Sequence, residues 1–136
     1  MTKERLRRYQ VIKKEREQLL RQLEEVESAL YSPKAQVMSD MPRTPSPVGN
    51  PQEALAIHHI ELQERYREKL EELAAEQLAI EEAIETLDPQ RRMLLRYRYI
   101  DGLKWEEVCV QMSYSWTQTH FHHGEALKQL RKEVEV

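Results

Sequence analysis

Histidine, carboxylate and cysteine positions are the first place to look for reactive chemistry in this 136-residue chain. His120, His122 and His123 stand close together, and His58 and His59 form a second pair far upstream. His residues at i and i+3 share a helix face, the spacing a metal site would use. No Cys-x-x-Cys pair accompanies them, however, and the single Cys109 belongs to a segment that reads as buried helix. Metal and cofactor are therefore not expected. The paired acids Glu71-Glu72 and Glu81-Glu82 lie on an amphipathic stretch, where such runs are solvated faces rather than acid–base couples. Neither a Gly-rich phosphate loop nor a Gly-x-Ser-x-Gly elbow occurs, so no enzyme and no small-molecule substrate is expected.

The remaining chemistry is that of recognition, and it lies between Leu87 and Lys132. Asp88-Pro89 is a helix start: Asp caps the exposed backbone N–H groups, and Pro loses nothing at the first helical position. That helix should run to Gly102, with Leu94, Leu95, Tyr97 and Ile100 as its apolar stripe. A second helix from Trp105 to about Gln111 should bury Val108 and Cys109 and show Glu106 and Glu107 to solvent. Met112, Ser113 and Tyr114 turn the chain. Ser115 followed by Gln118 has the spacing of a capping box, so a third helix should run from Trp116 to about Arg131, with Ala126, Leu127 and Leu130 in the core.

Three short helices joined this way read as a helix-turn-helix, whose last helix enters the major groove of double-stranded DNA. Trp116, Thr117, Gln118, His120 and Phe121 are then the candidate base contacts: Gln bonds bidentately to adenine, and apolar groups meet the thymine methyl. Trp116 and Phe121 have packing as their competing role. His122 is expected to face the core, and His120 and His123 to face solvent or DNA. Arg91, Arg92, Arg96, Arg98, Lys104, Lys128, Arg131 and Lys132 are the candidate phosphate contacts, and no Lys or Arg lies between Lys104 and Lys128.

The rest of the chain must hold this domain. One-third of its residues are charged and only 3 are Gly, a composition suited to long exposed helices. A net charge of -3 excludes a global attraction to nucleic acid, so a DNA-binding surface has to be local. Tyr9, Ile12, Leu19, Leu23, Val26 and Leu30 recur at three and four residues with Arg16 as the one polar seam position, which predicts a coiled-coil helix over 1–31 and a homodimer built on that seam. Residues 32–50, with Pro33, Pro42, Pro45, Pro47 and Gly49, read as a flexible linker. Asn50-Pro51 starts a second long helix over 51–87, and the helix-turn-helix domain occupies 88–136. Basic residues crowd the start of the first helix and acidic ones the end of the second, which favours an antiparallel pair and brings Arg5, Arg7 and Arg8 near the helix-turn-helix. The fold class is all-α: a long helical hairpin followed by a three-helix domain. No run approaches the roughly 20 apolar residues of a membrane helix. One cysteine and no signal peptide predict a cytoplasmic protein with no membrane partner.

At this point a family resemblance becomes specific. The run Leu94-Leu95-Arg96-Tyr97-Arg98-Tyr99-Ile100-Asp101-Gly102-Leu103, with Trp105-Glu106-Glu107-Val108 and the closing Ala126-Leu127-Lys128-Gln129-Leu130-Arg131, resembles region four of bacterial sigma factors. The heptad helix, the linker, the second helix and His123-Gly124-Glu125-Ala126-Leu127 resemble small phage and prophage proteins related to the ArpU-like and RinA-like late-gene transcription regulators of Gram-positive bacteria. That resemblance implies a DNA-binding transcription regulator in a bacterial host, acting beside host RNA polymerase. Two alternatives stand next to it: a small-terminase-like packaging protein, and a module that docks on RNA polymerase without touching DNA. The sequence departs from the region-four pattern at Trp116 and Phe121, where a basic residue is usual.

Overall fold

A computed structural model describes residues 1–31 and 50–134, with the side chains of 132–134 left aside. The expected linker over 32–50 therefore lies outside the described residues except for Asn50. The fold is all-α, without a strand among the described residues. In chain order the helices are α1 (Lys3–Leu30), α2 (Pro51–Ile84), α3 (Pro89–Leu95) continued by a π-helical turn (Arg96–Ile100), α4 (Trp105–Met112) and α5 (Trp116–Val134).

The starts are set by local chemistry. Asn50 Oδ1 accepts the Gln52 N–H at 3.0 Å, and Asp88 Oδ1 accepts the Arg91 N–H at 2.9 Å ahead of Pro89. At α5 the capping box is complete: Gln118 N–H donates to Ser115 Oγ at 3.1 Å and Ser115 N–H donates to Gln118 Oε1 at 3.0 Å. At α4 only half of a box forms, since the Lys104 ammonium cannot accept a backbone N–H; Lys104 N–H donates to Glu107 Oε2 at 3.3 Å.

The chain divides into two compact units. The first joins Met1–Lys13 to the chain from Glu72 onward. Its core holds Leu6 and Tyr9 from α1, Ile80 and Ile84 from α2, Leu94, Leu95 and Tyr99 from α3 and its π turn, Val108 from α4, and Ala126, Leu127 and Leu130 from α5. Within this unit Arg5 pairs with Glu76 at 3.4 Å and Arg8 with Glu72 at 3.8 Å, so the basic start of α1 runs antiparallel to the acidic end of α2. Both pairs are partly exposed and worth little individually. The Tyr9 hydroxyl adds a hydrogen bond to Gln77 Oε1 at 3.1 Å.

The second unit comprises Lys14–Glu71. Its small core is Leu23 and Val26 of α1 against Leu62 of α2, with Leu19, Leu30, Leu55 and Tyr66 around it. Lys69 with Glu15 at 2.9 Å and His59 with Glu27 at 3.1 Å set the same antiparallel direction there.

These cores change the reading of the seam. Tyr9, Ile12, Leu23 and Val26, expected to meet a second copy, are buried within the single chain. The Leu23–Val26 part is covered by Leu62 of α2. A heptad seam requires a partner helix, and the chain itself supplies one.

Candidate DNA-reading surface

The first helix of the site does not end as a plain α-helix. After Leu95 the backbone widens: Asp101 N–H reaches Arg96 O at 2.9 Å in the i to i+5 pattern of a π turn, and Gly102 closes the segment at φ 73. Carbonyls at this terminus lose their intrahelical partners. Two side chains from α1 take them up. Gln10 Nε2 donates to Tyr99 O and, at 3.2 Å, to Ile100 O, while Lys13 Nζ donates to Ile100 O at 3.0 Å. Sequence spacing gives no sign of this clamp, because its members are 87 to 90 residues apart.

Ser113, in the left-handed conformation at φ 58, ends α4 and aims the chain into α5. The αL cap is unusual for Ser and tolerable for a short polar side chain. Tyr114 braces the turn: its hydroxyl donates to Gln90 Oε1 at 2.9 Å, and its ring stacks on His122 with centroids 5.1 Å apart.

A second brace crosses the domain. The Arg98 guanidinium lies over the Trp105 ring at 4.5 Å, Trp105 meets His120 at 4.5 Å, and His120 meets Trp116 at 4.4 Å. His120 is thus held between two indoles, with Nε2 enclosed and lacking a hydrogen-bond partner. His123, not His122, enters the core. It is buried and sits 2.7 Å from the Tyr99 hydroxyl, whereas His122 stays half-exposed between Tyr114 and Phe121. The correction follows from helix geometry: His123 shares its face with Leu127 and Leu130, four and seven residues on. Burial, aided by the positive charges of Lys3, Arg98 and Arg7, lowers the His123 pKa to about 4. The ring is neutral near pH 7, and in its Nδ1–H tautomer Nε2 can accept a hydrogen bond from the Tyr99 hydroxyl. Cys109, expected in the core beside Val108, is only half-buried.

The candidate phosphate contacts separate into two groups. Arg96 is bound to Glu81 through three hydrogen bonds of 2.7 to 3.1 Å, a partner that raises its pKa further. Arg98 donates to Leu103 O at 2.8 Å, Arg92 reaches Glu85 O at 3.4 Å, and Arg91 lies 3.8 Å from Asp88. All four are half-buried. Lys104, Lys128 and Arg131 are exposed, and the Lys132 side chain lies outside the described residues.

Of the candidate base contacts, Trp116, Thr117, Gln118 and Phe121 are exposed, with Trp116 at 53% and Phe121 at 59%. Trp116 leans on His120, so its outward ring also belongs to the brace. Thr119, between Gln118 and His120, is fully buried and donates to Ser115 O at 2.9 Å. Among the described residues no cluster of His, Cys, Asp and Glu is arranged to hold a metal ion, and no helix is long and apolar enough to cross a membrane.

Comparison with known families agrees with this geometry. Residues 77–130 match the family described as Sigma-70, region 4. The matched segment starts within α2 and ends at Leu130, and so carries a sigma region-four-like helix-turn-helix. Searches of curated proteins and of solved structures found no match.

Proposed function

We infer that this protein is a DNA-binding transcription regulator of a phage or prophage, which presents α5 to the major groove of duplex DNA. The observation that carries the reading is the pairing of a sigma region-four-like match over residues 77–130 with an α5 whose outward residues are kept clear of the core. The phage assignment rests on the resemblance of the whole chain to small late-gene regulators, and host RNA polymerase is the second partner that resemblance implies. Sequence-independent affinity would come first from the exposed Lys104, Lys128 and Arg131, of which Lys128 lies 3.5 Å from Glu125, since Arg96 and Arg98 are hydrogen-bonded to Glu81 and Leu103 O inside the domain. Those three cations are few. The electrostatic share of binding should therefore be small and most of the affinity sequence-dependent.

Selection of bound DNA from a random duplex pool with the full-length protein, at two salt concentrations, tests this. A shared motif at both salts is expected. Lys104→Ala and Lys128→Ala should each reduce the slope of log K against log salt by about one. Recovery of unrelated sequences, with equal affinity for all of them, would defeat the reading and favour a module that docks on polymerase.

A further inference from the structure

The outward face of α5 differs in chemistry from a face that reads guanine. The commonest contact to guanine O6 and N7 is made by Arg or Lys, and α5 has neither before Lys128. Thr117, Phe121, Gly124 and Lys128 follow one another at i, i+4, i+7 and i+11, and so lie along one side of the helix. Thr117 and Phe121 on that stripe offer a methyl group and an exposed aromatic ring.

Gln118, beside the stripe, is half committed. Its Oε1 accepts the Ser115 N–H at 3.0 Å in the capping box, which commits the oxygen and leaves the amide N–H2 of this exposed residue as its donor. The bidentate adenine contact expected from sequence needs both ends of that amide. Thymine instead presents an acceptor, O4, next to a methyl group, and so matches a donor next to an apolar side chain.

Gly124 is a second, independent observation. Glycine inside a helix costs about 1 kcal/mol relative to alanine, yet a Cβ placed there would meet nothing within 4 Å. Crowding inside the protein does not explain its small size. A helix that must let an external surface come close to its backbone is one reason to keep glycine there.

We propose that α5 reads thymine: Phe121 and the Thr117 methyl contact thymine C5-methyl groups, the Gln118 amide donates to thymine O4, and Gly124 lets the helix backbone come close to the duplex. This rests on the DNA-binding reading above and specifies its sequence class. The site recognised by α5 is thymine-rich on one strand and does not depend on guanine.

The test uses the duplex selected by the full-length protein, rebuilt with deoxyuridine replacing each thymine in turn. Uracil keeps O4 and base pairing and loses only the methyl. The expected result is a loss of about threefold to fivefold at one or more positions, the worth of one buried methyl group. Phe121→Ala should abolish the uracil penalty at the position its ring contacts and Thr117→Ser at the position its methyl contacts, so that the double variant binds thymine and uracil equally, and unchanged circular dichroism of Phe121→Ala would show that the exposed ring is not needed for folding. Gly124→Ala should weaken DNA binding while raising thermal stability. A selected site bound equally well with uracil throughout, or a penalty that survives the Phe121→Ala, Thr117→Ser double variant, would overturn the thymine assignment and leave DNA binding intact. Absence of any selected sequence would overturn both.

Discussion

The Tyr99 hydroxyl and His123 Nε2 share a hydrogen bond of 2.7 Å, joining the π turn to α5 inside the core of the helix-turn-helix unit. Burial keeps this imidazole neutral near pH 7 by lowering the His123 pKa from 6.5 to about 4. In the unfolded chain the same ring takes a proton as pH falls through 6.5, whereas the folded chain resists until about 4. Its contribution is complete above pH 6.5 and is lost as pH falls toward 4, by an amount of roughly 1–3 kcal/mol. Urea midpoints at pH 7.5 and 5 should show this loss, and His123→Gln should show a smaller pH dependence across the same window.

The α1 clamp makes a second expectation. Gln10→Ala removes the donor from two carbonyls at the end of the π turn and should destabilise the first unit by about 1–3 kcal/mol. Gly102→Ala should be at least as harmful, because φ is +73 and the new Cβ would lie 2.8 Å from Gln10 Oε1. Thermal denaturation of the full-length variants measures both. In the double variant the Gly102 penalty should shrink, since alanine at position 10 removes the clash and leaves only the backbone strain.

Gln118 separates capping from recognition. Gln118→Glu keeps an oxygen for the Ser115 N–H and adds negative charge near the start of α5, so thermal stability should hold or rise slightly. Gln118→Ala loses that partner and should cost about 0.5–1 kcal/mol. Both remove the amide donor, so both should weaken binding to the selected DNA. Equal DNA affinity in wild type and Gln118→Glu would show that the side chain caps the helix and does nothing more.

Leu23 tests where the coiled-coil seam is spent. It is buried against Leu62 and Val26 in the second unit, so Leu23→Asp should lower the thermal midpoint of the chain even at concentrations where only monomer is present. Sedimentation and melting, run together over a range of concentrations, distinguish this from an assembly defect. A variant that melts like the wild type but sediments as a smaller species would place the seam between copies.

Much of this protein was legible before its fold was known, because the signals are local. Asn50 before Pro51, Asp88 before Pro89, and Ser115 with Gln118 mark helix starts through hydrogen bonds spanning two or three residues. The buried Leu94, Val108, Ala126 and Leu130 were equally readable from spacing. His123 could have been found the same way, from its four-residue step to Leu127. Other features depended on partners that spacing does not name. The π turn at Arg96–Ile100 is held by Gln10 and Lys13, the arginines that read as phosphate contacts answer to Glu81, Leu103 and Trp105, and Leu23 meets Leu62. Periodicity states that a face must be covered and a charge balanced. Which distant residue does so is decided only when tertiary packing makes one partner close and leaves the others in water.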